Sequence, residues 1–156
     1  MKAIEKGKNH FQLILNSDLE ETPEVESYAE KLSKRMGFSE DERDSLAISI
    51  TEIVNNAIKH GNKNDVKKKV YIDFIVKNDE MIITVQDEGK GFDVDEIADP
   101  LAPENLMKES GRGIYIVRTL MDDTRYTLND KGTLVRIVLK KKSKKNEKKE
   151  SESLDK

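Results

Sequence analysis

The chain has 156 residues, with 28 basic and 31 acidic side chains and no cysteine, a length that suits one domain with its own core. The missing cysteines exclude disulfides and thiolate metal sites. No apolar run approaches the ~20 residues of a membrane helix and residues 1–11 hold no apolar signal-peptide core, so a cytoplasmic protein that neither spans nor binds a membrane is expected.

In chain order, residues 11–15 (Phe-Gln-Leu-Ile-Leu) read as a short strand after a charged start. Thr22-Pro23-Glu24 opens a helix, with Thr22 as cap, proline in the first turn and an acid beside the positive end of the dipole. That helix is expected to run to Met36 and to stop at Gly37. Ser39 followed by Glu42 is a capping-box pattern, and the helix it starts should reach His60, with Gly61 as its stop. Residues 69–76 alternate Val70, Ile72, Phe74 and Val76 against Tyr71, Asp73 and Ile75, as a strand with one buried face does. Asn78-Asp79 is a turn, and residues 81–86 form the second arm of the hairpin. Residues 87–110 read as one long loop, which in a compact domain is usually functional. Helical spacing returns over 113–121 through Ile114, Val117, Leu120 and Met121, and 125–128 with 133–139 make a last hairpin.

The order is β-α-α-β-β-loop-α-β-β. Hairpins dominate and helices are too few to cover two faces, so an α/β (α+β) two-layer sandwich is expected. Its sheet should be mixed, mostly antiparallel, and covered on one face by helices. Residues 1–139 would form the domain, and 140–156 a disordered lysine-rich tail with eight lysines and four acids. Without that tail, 20 basic and 27 acidic residues remain, an acidic body that argues against direct nucleic-acid binding. The tail could touch an acidic partner, but a solubilising end is the plainer reading.

On a helical wheel, Leu46, Ile50, Ile53, Val54 and Ala57 form the core stripe. Ser45, Ser49, Glu52, Asn56 and Lys59 fall opposite, with Glu52 and Asn56 one turn apart and Asn55 beside them. A solvated polar face is the plain alternative. Tandem asparagines in mid-helix are poor helix formers, however, and the serines leave room for a ligand. A carboxylate beside a carboxamide suits a hard cation held through oxygen and water, which favours Mg²⁺.

Asp87-Glu88-Gly89-Lys90-Gly91 follows a strand directly. Its glycines let a flat ligand approach the backbone, and Asp87 could accept from an exocyclic amine such as that of adenine. Ser110-Gly111-Arg112-Gly113 is expected just ahead of a helix, where free N–H groups and the dipole favour phosphate. Each motif alone could be an ordinary turn or linker.

Taken together, these motifs resemble the Bergerat-fold ATPases, the superfamily of gyrase, histidine-kinase and mismatch-repair ATPases, over about residues 10–139. Residues 52–61 look like its N box, 87–91 like its G1 box and 111–114 like its G2 box, while Gly132-Thr133 matches a position where threonine supports the adenine-binding Asp. The run from Ile50 to Gly61, Phe92-Asp93, Asp99-Pro100 and the stretch from Gly111 to Asp122 are most similar to the stand-alone anti-sigma serine/threonine kinases.

The resemblance implies a histidine-kinase-like ATPase fold that uses ATP and Mg²⁺. It implies Asn56 as the Mg²⁺ ligand, Asp87 on the adenine amine, residues 92–110 as an ATP lid and Glu52 as general base toward a serine hydroxyl. Asn55, Lys59, Gly89, Gly91, Gly111, Arg112, Gly113, Ile114 and Thr133 complete the expected nucleotide site. The implied partners are a sigma factor and a STAS-domain anti-anti-sigma protein, and homodimerisation is a family expectation. Glu109 stands ahead of the G2 glycines where some relatives carry a basic residue. Two other functions compete with the kinase: a non-catalytic ATP-binding switch module, and a detached histidine-kinase catalytic domain. The latter is disfavoured because only residues 1–21 precede the first long helix.

Overall fold

The structure, a computed structural model, describes residues 1–89 and 109–142. Its strands are β1 (Lys2–Gly7), β2 (His10–Asn16), β3 (Lys69–Lys77), β4 (Glu80–Gln86), β5 (Asp123–Asn129) and β6 (Gly132–Lys140); its helices are α1 (Thr22–Met36), α2 (Glu40–Asn56) and α3 (Glu109–Leu120). The strands form one six-stranded sheet in the order β1-β2-β3-β4-β6-β5. Every pairing is antiparallel, which sharpens the expected mixed sheet into an antiparallel one.

Strand alternation builds the core. Successive side chains point to opposite faces, so the register lines up Leu13, Ile72, Val85 and Val135 in one row and Phe11, Phe74, Ile83 and Ile137 in the next. These rows are buried except for Phe11, which is partly buried, and Val25, Ala29 and Leu32 of α1 with Leu46, Ile50, Ile53 and Val54 of α2 complete the same core. The Tyr28 and Phe74 rings lie 5.4 Å apart across the two layers. On the other face, Gln12, Asp73, Thr84 and Arg136 form a polar row, where His10 Nε2 lies 2.7 Å from Asp73 Oδ1. One sheet face is therefore apolar and packs under the helices, as a two-layer sandwich requires, while the other carries this polar row beside Ile75 and the buried Ile82 and Val138.

Several local expectations hold. Gly37 ends α1 with φ of 86°, the left-handed conformation that favours glycine. The capping box is formed, with Ser39 N–H donating to Glu42 Oε1 at 2.8 Å and Glu42 N–H donating to Ser39 Oγ at 3.2 Å.

Others are corrected. β1 was not expected: it is an edge strand, largely exposed, held by backbone pairing from Lys2 opposite Ile14 to Gly7 opposite His10, and so it shows no apolar alternation. Thr22 does not cap α1. The chain enters through a 3-10 turn, Leu19–Glu21, capped by the Asp18 carboxylate, and the buried Thr22 hydroxyl instead donates to Asn55 Oδ1 at 2.9 Å. The second helix keeps α geometry only to Asn56. Ala57–Gly61 widens into a π turn, closed by Asn62 N–H donating to Ala57 O at 2.8 Å. The third helix begins at Glu109, four residues ahead of the expected start at 113, and so already contains Gly111.

At the C-terminus, β6 extends to Lys140. The Lys141 ammonium donates to Met36 O at 3.1 Å, at the carbonyl end of α1, and Lys142 N–H donates to Glu42 Oε2 at 2.8 Å. The remainder of the expected tail, 143–156, lies outside the described residues.

Candidate functional site

Glu52 and Asn56 are half-buried and one turn apart on α2. The helix α3 crosses them at Gly113: a Cβ added there would lie 2.5 Å from Glu52 Oε2 and 3.4 Å from Asn56 Nδ2. Two motifs that are distant in sequence thus meet in space. Ile114 is buried, whereas Arg112 is exposed. Asn55 is not brought into this group, because its carboxamide oxygen is taken by Thr22 on α1. Ser49, expected on the open polar face, is fully buried, and its hydroxyl has no hydrogen-bond partner among the described residues. Lys59 lies half-buried in the π turn.

The second half of the site surrounds Asp87, the residue after β4, which is only 3% exposed. Its Oδ1 accepts from Thr133 N–H at 2.8 Å and from Gly89 N–H at 3.1 Å. Among the described residues no hydrogen bond reaches Oδ2. Glycines wall the carboxylate in. A Cβ on Gly61 would overlap Asp87 Oδ2 and lie 2.5 Å from its Cγ, while one on Gly132 would overlap Oδ1. Gly89 in turn packs on the Gly61 carbonyl, 2.5 Å from where its Cβ would be. The sequence reading took Gly61 as a helix stop and left Gly132 without a role of its own. Their close approach to Asp87 shows why neither position holds a side chain. Thr133 supports Asp87, as expected, but through its backbone N–H.

Burial pushes the Asp87 carboxyl above its ordinary range, against the opposing pull of the Thr133 and Gly89 N–H groups. A carboxyl raised on folding is stabilising as its neutral form, below the ordinary value near ~3.9. That contribution is lost as pH rises through the folded value. Asparagine copies the neutral form and can still accept both N–H bonds. Asp87→Asn should therefore melt at or above the wild-type temperature at pH 7 in a thermal scan, and a melting point several degrees lower would contradict this account.

Asn62 was missed altogether. It is fully buried and joins four segments. Its Nδ2 donates to Ser17 Oγ at 2.9 Å and to Lys69 O at 2.9 Å, and its Oδ1 accepts from Glu88 N–H at 2.7 Å. Glu88 then reaches back to Lys69 N–H at 2.7 Å and to the Tyr71 hydroxyl at 3.1 Å. No local sequence pattern marks an asparagine after a helix stop as a latch, since its partners lie in other elements. Gly91, Phe92, Asp93, Asp99, Pro100 and most of the expected lid lie outside the described residues.

Chemically, the site offers a carboxylate beside a carboxamide at one end, and at the other a buried carboxylate whose Oδ2 accepts no hydrogen bond from the described residues. The ends are joined by residues 52–61, roughly 12–14 Å at 1.5 Å rise per residue. Oxygen donors of this kind fit a hard cation that keeps its waters. The glycine-walled Oδ2 fits an amine.

The histidine kinase-like ATPase domain family matches residues 15–139. The serine-protein kinase RsbW of Bacillus subtilis is 36% identical over 100 residues, 60% of this chain and 62% of that protein. The serine-protein kinase RsbW of Bacillus licheniformis is 34% identical over 110 residues, 67% of this chain and 68% of that protein. The chain thus spans just under two thirds of the first of these relatives. Among solved structures, the RsbU and RsbW domains of Rv1364c from Mycobacterium tuberculosis align with a TM-score of 0.61 at 16% identity, covering 83% of this chain and 32% of that one. The catalytic domain of the histidine kinase ThkA aligns with a TM-score of 0.53 at 16% identity, covering 83% and 95%. These alignments carry the same fold, and with the sequence matches they place the chain in the histidine kinase-like ATPase domain family, in the branch of the RsbW serine-protein kinases.

Proposed function

We propose that this chain is an ATP- and Mg²⁺-dependent serine kinase of a cytoplasmic partner switch. It would bind a sigma factor and phosphorylate a serine on a small STAS-domain anti-anti-sigma protein. The observation that carries the reading is the meeting of Gly113 on α3 with Glu52 and Asn56 on α2, at one end of the stretch 52–61 whose other end, Gly61, packs on Asp87.

The nucleotide lies along that stretch in this reading. The adenine amine donates to Asp87 Oδ2, the free oxygen of the cage. Gly89 and Gly132 keep the backbone close enough for a flat ring to approach. Asn56 holds Mg²⁺ through its carboxamide oxygen, and the ion supplies charge neutralisation for the phosphates when bound. The N-terminal turns of α3, with Gly111 and Arg112, face the phosphate end, and Lys59, Gly91 and residues 92–110 belong to the same expected site. Glu52 takes the proton of the substrate serine as its Oγ forms a bond to the γ-phosphorus; the bond from that phosphorus to the β,γ-bridging oxygen breaks, and ADP leaves with the electron pair. Asn55 acts through packing, by fixing α1 on α2.

The test is incubation of the purified chain with Mg-ATP and a STAS-domain partner. Acid-stable phosphoserine on the partner is the expected product. Glu52→Gln should keep Mg-ATP affinity within about threefold and reduce transfer by about 10²–10⁴-fold, the usual contribution of a general base. Mg-dependent ATP binding without any transfer by the wild type would replace this reading with that of a non-catalytic switch module.

A further inference from the structure

We infer that Gly113 is a positioning residue for the Glu52 carboxylate, and that its missing side chain, rather than a phosphate contact, is what the position requires. The inference rests on the kinase reading of the site.

The geometry is specific. A methyl group at Gly113 would stand 2.5 Å from Glu52 Oε2 and 3.5 Å from its Cδ, and the nearest other atom, Asn56 Nδ2, is at ordinary contact distance, 3.4 Å. No backbone atom is among those nearest neighbours. The clash therefore falls on the far end of one flexible side chain, which can turn away without moving either helix. Among the described residues no hydrogen bond holds the Glu52 carboxylate. The α3 backbone at Gly113 packs against it.

This differs from the cage around Asp87. There the blocked carboxylate is short and doubly hydrogen-bonded, so added bulk must strain the fold. At Gly113 added bulk has a cheap escape, and that escape carries the base out of position. Gly113 also sits inside a helix, where alanine is the better helix former. On stability alone alanine would be favoured there, and glycine is kept at a cost.

The experiment is a cycle of Gly113→Ala, Glu52→Asp and the double variant, each assayed for phosphotransfer, Mg-ATP affinity and melting temperature. Gly113→Ala should lower kcat by tenfold or more, with Mg-ATP affinity within about threefold and a melting temperature unchanged or raised. Aspartate is one methylene shorter and withdraws the carboxylate from the clash. In the Glu52→Asp background, Gly113→Ala should then cost less than threefold. A kcat unchanged by Gly113→Ala overturns the inference. So does an equal loss in both backgrounds, or a loss that appears as weakened Mg-ATP affinity, the mark of a phosphate contact.

If Glu52→Asp transfers nothing measurable, the structure of Gly113→Ala decides. A Glu52 side chain turned from its place over an unmoved α3 supports the inference, and an unmoved Glu52 overturns it. Failure of the kinase reading looks different, because the wild type itself then transfers no phosphate; the inference falls with it.

Discussion

Gly61→Ala should lower nucleotide affinity by about 10–100-fold, the worth of a hydrogen bond to a charged group, and should also destabilise the fold. Gly61 has no left-handed φ, so alanine meets no backbone penalty. The obstacle is Asp87. The new methyl overlaps Oδ2 and stands 2.5 Å from Cγ and 3.0 Å from Cβ. The carboxylate has nowhere to go, because Oδ1 is held by Thr133 and Gly89 and walled by Gly132. Overpacking of this kind costs about 1–3 kcal/mol, several degrees of melting temperature in a chain of this size. Calorimetry with Mg-ATP and a thermal scan measure both effects. In an Asp87→Ala background the same substitution should cost little stability, because the group it meets is gone. Wild-type affinity and melting temperature in Gly61→Ala would show that the cage is not rigid.

Asn62→Ala should be the most destabilising single truncation among the buried polar residues. It leaves Glu88 N–H and Lys69 O without their partner in a site closed to water, and takes one donor from Ser17 Oγ, which keeps its own bond to Lys68 O at 2.7 Å. At about 1–3 kcal/mol for each stranded group, the loss is about 2–5 kcal/mol. Asn62→Asp should fare no better, since the oxygen that replaces Nδ2 would face the Lys69 carbonyl. A urea titration should show the midpoint falling with the slope unchanged. A wild-type midpoint would mean that the latch is dispensable. Because Asn62 fixes the peptide between Asp87 and Glu88, nucleotide affinity should fall as well.

What could be read in the sequence is what short-range physics decides. Ser39 and Glu42 cap each other three residues apart. Gly37 turns left-handed where α1 must stop. Alternation in β3 announces a strand with one buried face. Glu52 and Asn56 share a face because a helix turns once in 3.6 residues. The order of the three motifs along the chain was enough to suggest the family.

The tertiary structure alone decided the rest, because the deciding partners are far away in sequence. β1 exists through its pairing with β2, not through its own pattern. Thr22 and Asn55, 33 residues apart, claim each other, which takes one from capping a helix and the other from the polar face. Ser49 is covered by packing that no wheel displays. Gly61, Gly89 and Gly132 look like three unrelated turn glycines until the sheet brings them around one carboxylate. Backbone geometry and capping act over three or four residues and leave a local signature. Steric exclusion and buried hydrogen bonding act between whichever atoms the fold brings together, so their requirements appear only once the chain has closed on itself.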